Sequence, residues 1–194
     1  MDFCHASNSI TRLNSRLTTG TQEGDPPPYE LRKLHDLDQP FQFDIKIFNR
    51  EFRFKIYDTA APTNYTLLRP DFLILCYDIS DRTSLELVQS KWKNIVETSF
   101  NLDESLPVML LGLKRDLRRE WTEKEKAAGG GKGPSVMPQE GLRVAQEMLC
   151  DRYAECSAET GELCSQVLED VARTAAKTTT RKGAKSSPPW CSVM

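Results

Sequence analysis

Apolar and polar positions change rhythm several times along this chain, and each rhythm predicts a different element. In Ser9–Thr18, Ile10, Leu13 and Leu17 fall at helical spacing, with Ser9 available as an N-cap. The following GTQEGDPPPY, Gly20–Tyr29, is polar and turn-forming and reads as a loop. Phe41–Phe48 and Glu51–Asp58 alternate, which predicts two antiparallel strands joined by a tight turn at Asn49-Arg50. Phe72–Tyr77 and Pro107–Gly112 are unbroken apolar runs, as expected of parallel strands covered on both faces. Between them Leu85, Val88, Trp92, Ile95 and Val96 line one side of a helix spanning Thr83–Thr98, capped at Ser80-Asp81. Pro138 opens a further helix to Cys150, Tyr153–Cys156 forms the last strand, and Leu163–Lys177 the final helix. The succession implies an α/β fold. Glu30–Gln39 carries no assignable pattern.

Composition narrows the function classes. A chain of 194 residues holds one domain with a core and loose ends, and a net charge of −2 gives no footprint for nucleic acid. The longest apolar run, around Phe72–Tyr77, is far too short to span a bilayer, and Met1–His5 lacks the basic and apolar regions of a secretory signal. The six cysteines form no CxxC pair and read as reduced intracellular thiols. His5 and His35 have no ligand-like neighbours.

An aspartate closing a strand, as Asp58 does, lies on the edge where open α/β sheets bind ligands. From there the chain reads Asp58-Thr59-Ala60-Ala61-Pro62-Thr63-Asn64-Tyr65, then Leu68-Arg69-Pro70. This resembles the second switch of Ras-superfamily small GTPases, most closely the Rho branch, whose pattern is Asp-Thr-Ala-Gly-Gln-Glu-x-Tyr followed by Leu-Arg-Pro. Lys114-Arg115-Asp116 resembles the family's Asn/Thr-Lys-x-Asp, with Leu113 departing from it, and Cys156-Ser157-Ala158 resembles its Ser-Ala loop. The segment 118–137, with its flexible Gly129–Gly133 run, takes the place of the Rho insert.

The resemblance implies a Ras-like G domain of the P-loop NTPase fold over residues 9–177, binding GTP or GDP with Mg2+. It implies guanine recognition by Lys114, Asp116, Ser157 and Ala158, through an aspartate that binds guanine N1 and N2 and a backbone N–H that meets O6. It also implies that the phosphate half is rewritten. Asn8 stands at the phosphate-loop lysine and Ser7 at a glycine, so residues 1–8 are a remnant and the first strand and phosphate loop are lacking. Ser9 and Asp58 remain as weak metal-site positions, and Pro27 replaces the magnesium-binding threonine. Ala61 replaces the glycine at the γ-phosphate, and Pro62 replaces the water-orienting glutamine, so no catalytic residue is intact.

The tail, 178–194, is basic at Arg181, Lys182 and Lys185 and ends Cys191-Ser192-Val193-Met194, a C-a-a-X box favouring farnesyl on Cys191. Lipid and basic residues together make a reversible anchor to the cytoplasmic face of a membrane. The expected function is membrane-associated signalling defective in GTP hydrolysis, with Rho-type effectors or regulators as partners. Two alternatives stand beside it. One is a working GTPase whose N-terminus lies outside this sequence. The other is an adaptor for WW domains through Pro26-Pro27-Pro28-Tyr29, a PPxY pattern.

Overall fold

The computed structural model describes residues 40–47, 50–57, 69–100, 106–120, 122 and 133–181, and its strands form two sheets. Strands β1 (Phe41–Ile47) and β2 (Arg50–Ile56) pair antiparallel, with Phe41 opposite Ile56 and Ile47 opposite Arg50. Alternation works as expected here: Phe52, Phe54 and Ile56 are half-buried, while Glu51, Arg53 and Lys55 are exposed. Arg53 forks onto the opposing Asp44 at 2.8 and 3.0 Å. Arg50 belongs to the strand and not to the turn, because its pairing with Ile47 completes the ladder.

The second sheet runs β3-β4-β5, all parallel: β3 is Leu73–Asp78, β4 Val108–Leu113 and β5 Arg152–Glu155. Every residue of β4 is buried, which is why its sequence shows no alternation. Each strand lies one residue from its sequence-expected start. Leu73 enters the ladder through its N–H to the Pro107 carbonyl at 3.0 Å, and Asp151 ties the start of β4 by a 2.8 Å bond to the Val108 N–H.

Helices cover both faces. A helical stretch, α1, begins as Arg82–Leu87, widens to π-turns over Val88–Trp92, tightens at Lys93–Ile95 and ends on π-turns at Val96–Phe100. Asp81 is its cap, accepting from the Thr83 N–H at 2.9 Å, and Ser80 is not. Helix α2, Pro138–Glu147, stops three residues before the expected Cys150. Leu149 takes a left-handed backbone at φ 55°, and the Cys150 N–H turns back to the Ala145 carbonyl at 2.9 Å. Helix α3, Cys164–Arg181, follows Leu163, also left-handed at φ 59°.

On one face Leu75, Tyr77 and Ile79 pack with Val108 and Leu110 against Leu85 and Val88 of α1 and Val144 and Ala145 of α2. On the other, Met109, Leu111 and Leu113 pack against Cys164, Val167, Leu168 and Val171 of α3, with Phe54 of β2 joining them. This two-sided cover leaves the carboxyl ends of β3, β4 and β5 as the edge on which loops can build a site.

A polar chain threads the first face. The Tyr77 hydroxyl meets that of Tyr153 at 3.1 Å, Tyr153 donates to Glu155, and Arg118 pairs with the same carboxylate at 2.5 Å. Burial pushes the Tyr77 hydroxyl up to about 12, so both phenols stay protonated and available as donors. Glycines let backbone approach these rings: a Cβ on Gly112 would stand 2.9 Å from the Tyr77 hydroxyl oxygen.

Candidate functional site

Three loops meet at the carboxyl edge of the parallel sheet: the end of β3 at Asp78, the turn Lys114–Asp116 after β4, and Ser157-Ala158 after β5. Parallel pairing in register fixes this meeting, since Asp78 lies opposite Leu113 and Gly112 opposite Glu155. The sequence-expected residues Lys114, Asp116, Ser157 and Ala158 therefore come together.

Asp116 sits on a single 3-10 turn, Arg115–Leu117, with its side chain exposed, and accepts a hydrogen bond from the Ser157 hydroxyl. Ser157 itself is fully buried, and all its polar atoms are engaged. Its N–H donates to the Glu162 carbonyl at 3.1 Å, and its hydroxyl oxygen also accepts from the Thr160 N–H at 3.2 Å. Its carbonyl accepts from the Gly161 N–H at 2.9 Å and the Cys164 thiol at 3.1 Å. Ser157 thus holds Asp116 and shapes the loop, and its own N–H is not available to a ligand. The next N–H, of Ala158, has no partner among the described residues. Asp116 and Ala158 thus put a carboxylate acceptor and a backbone donor without a partner among the described residues on neighbouring loops.

Arg115, between the two motif residues, clasps the loops together. Its N–H donates to the Cys156 carbonyl at 3.2 Å, and its guanidinium pairs with Glu162 and lies 3.7 Å from Glu155. Sequence reasoning passed over Arg115 because the family pattern leaves that position open.

Lys114 adopts a left-handed backbone, φ 58° and ψ 44°, a conformation costing a non-glycine residue about 1–2 kcal/mol. Its ammonium lies 2.6 Å from Asp78 Oδ2. The other oxygen, Oδ1, accepts from the Ser80 N–H at 2.8 Å and the Ser80 hydroxyl at 2.6 Å. Partial burial raises the Asp78 pKa, but the hydrogen bonds from Lys114 and Ser80 outweigh it and hold the carboxyl below its usual range. Asp78 was not foreseen, although the signal that marked Asp58, an aspartate closing an apolar run, is present there too.

Among the described residues no group of His, Cys, Asp or Glu could hold a metal ion. Ser7, Asn8, Ser9, Asp58, Ala61 and Pro62 lie outside the described residues, as do Pro26–Tyr29, the Gly129–Gly131 run and Cys191. No helix is long and apolar enough to cross a membrane, among the described residues.

Residues 38–177 match the Ras family. The chain is 31% identical over 138 residues to the GTP-binding protein rho1 of Schizosaccharomyces pombe, covering 68% of this chain and 66% of that one. It is 32% identical over 151 residues to the Ras-like GTP-binding protein RhoL of Drosophila melanogaster, covering 73% of each. It is also 32% identical to the GTP-binding protein RHO1 of Saccharomyces cerevisiae, over 67% of this chain and 63% of the relative. The matches thus span about two thirds of the relatives' own length. Motif residues gathered at one sheet edge, a doubly covered parallel sheet and these matches lead to one assignment: the chain belongs to the Ras family of small GTPases, on its Rho branch.

Proposed function

We propose that this Rho-branch protein is a membrane-tethered signalling module that recognises the guanine base and does not hydrolyse GTP. The observation that carries the reading is the Asp116–Ser157–Ala158 arrangement, an exposed carboxylate locked by a buried serine beside an unpaired N–H. Asp116 takes the N1 and N2 protons of guanine, the Ala158 N–H donates to O6, and the Lys114 stem flanks the ring. Support for lost hydrolysis comes from the sequence. Proline at position 62 has no side-chain group to orient water, and Asn8 brings no charge to a phosphate. Removing a single preorganised donor typically costs about 10²–10³-fold in rate, and several are replaced here. The Cys191 box and the basic residues 181, 182 and 185 support reversible attachment to the cytoplasmic face of a membrane. Rho-type effectors or regulators are the partners that the relatives suggest.

Calorimetric titration with guanosine, GDP and GTP, with and without magnesium, tests the base reading. Guanosine should bind, with little gained from phosphates or from magnesium, and GTP turnover should stay at the buffer rate. GTP binding about a thousandfold tighter than guanosine, about 4 kcal/mol, and dependent on magnesium would establish the working GTPase instead.

A further inference from the structure

We infer that Arg115 is a positioning residue for the base site. It fixes the turn that carries Asp116 against the loop that carries the Ala158 N–H, and so sets how sharply a base is read. This assignment rests on the guanine-base reading above and names what gives that reading its selectivity.

The loop after β5 is closed on itself. The Ser157 N–H donates to the Glu162 carbonyl at 3.1 Å and the Gly161 N–H to the Ser157 carbonyl at 2.9 Å, with Gly161 turning at a left-handed φ of 82°. Glu162 ends that closed loop, and its carboxylate is the handle that the Arg115 guanidinium takes. On its other side Arg115 reaches Glu155 at 3.7 Å. Glu155 is a fixed post, only 8% exposed and held by Arg118 and Tyr153 as well. The Arg115 N–H adds a third tie, to the Cys156 carbonyl at 3.2 Å. One residue thus grips the loop at both of its roots.

Asp116 also has a tie to the loop, accepting from the Ser157 hydroxyl at Oδ1. That bond falls on the carboxylate that a base would use, so loop and ligand draw on one group. The ties through Arg115 use neither the Asp116 carboxylate nor the Ala158 N–H. They hold the two groups at one separation and leave both to the ligand. Guanine offers O6 to one and its N1 and N2 protons to the other, and a preorganised pair meets all of them together.

Inosine keeps O6 and the N1 proton of guanosine and lacks the 2-amino group. The ratio of guanosine to inosine affinity, measured by calorimetry on the full chain, therefore reads the placement of Asp116 directly. The unaltered protein should prefer guanosine. In Arg115→Met the preference should fall about tenfold, the net worth of one hydrogen bond. Glu155 keeps Arg118 and Tyr153 in that variant, so no buried carboxylate is orphaned. Glu162→Ala should lower the preference too, and Arg115→Met/Glu162→Ala should fall no further than Arg115→Met, because both changes open the same clasp. Gly141→Ala, on the far helix, should leave the ratio unchanged even where it lowers stability. An unchanged ratio in Arg115→Met, or a fall as large in Gly141→Ala, overturns the assignment. If Arg115→Met does not fold, Glu162→Ala decides it in the same way. Failure of the unaltered protein to bind guanosine, or to prefer it over inosine, overturns the base reading itself, and the role of Arg115 with it.

Discussion

The backbone of Gly141 passes so close to Tyr153 that a Cβ there would stand 2.3 Å from the tyrosine hydroxyl and 2.5 Å from that of Tyr77. Helix α2 rides on the polar chain that runs from Tyr77 through Tyr153 to Glu155, and only a residue without a side chain fits at the crossing. Two effects of opposite sign compete in Gly141→Ala. Alanine favours a helix over glycine by about 1 kcal/mol. Overpacking a core costs about 1–3 kcal/mol, and the ring cannot retreat without breaking its bonds to Tyr77 and Glu155. Gly141→Ala should therefore destabilise the domain in urea unfolding, and Tyr153→Phe in the same chain should recover part of the loss. A stabilised Gly141→Ala protein would show that the helix shifts freely.

Arg118 and Glu155 make the second prediction. Their side chains are 13% and 8% exposed, and Arg115 reaches Glu155 only at 3.7 Å. Arg118→Met leaves a buried carboxylate poorly compensated and should cost about 3–5 kcal/mol. Arg143→Ala breaks an exposed i,i+4 pair with Glu147 and should cost only about 0.3–0.5 kcal/mol. Urea midpoints of the two variants, at constant m-value, measure the contrast. Equal losses would contradict the buried role.

Acid stability reports on Asp78. Its folded pKa is depressed below the ordinary 3.8, so the Lys114 and Ser80 interactions stabilise the fold fully above that value. Their contribution is lost as pH falls from 3.8 toward the folded pKa, because the carboxyl must protonate. The stability gap between the unaltered protein and Asp78→Asn should hence be constant from pH 5 to 7 and narrow progressively below about 4. A gap that does not narrow at all as pH falls below 3.8 would place the effect of the substitution outside this titration.

Thiol reactivity follows from burial. The Cys150 thiol is pushed up to about 11 by desolvation, and Cys156 is raised further by its hydrogen bond with Cys164 and by burial. Thiolates carry out alkylation, so both should resist iodoacetamide at pH 8 in the folded protein and react at once in denaturant. Mass spectrometry of the modified peptides reads this directly, and fast labelling of Cys156 in the folded chain would show that the Ser157 loop opens.

Membrane attachment should depend on Cys191. Cys191→Ser should move the protein to the cytosolic fraction, whereas neutralising Arg181, Lys182 and Lys185 should weaken attachment without abolishing it, at about 1 kcal/mol per charge. Unchanged fractionation of Cys191→Ser would remove the lipid anchor from the proposed function.

By itself the sequence determined most of the described strands and helices and named candidate residues for the site. The unbroken apolar run of β4 and the alternation of β2 are local consequences of which faces are buried, so they can be read without knowing the neighbours. Lys114, Asp116, Ser157 and Ala158 could be named as candidates because each lies inside a short motif. What only the tertiary structure decided are the partnerships between motifs. Asp116 meets a serine 41 residues away, and Arg118 meets a carboxylate 37 residues away, because parallel register brings three strand ends to one edge. Asp78 escaped sequence reading for the same reason: its chemistry is the lysine opposite, which no local spacing announces. The early stop of α2 was likewise invisible, since nothing in Leu149 marks a left-handed residue and the chain needs that turn only to re-enter the sheet at Arg152. Periodicity is written residue by residue along the chain, whereas pairing belongs to the register, and the register exists only once the sheet has formed.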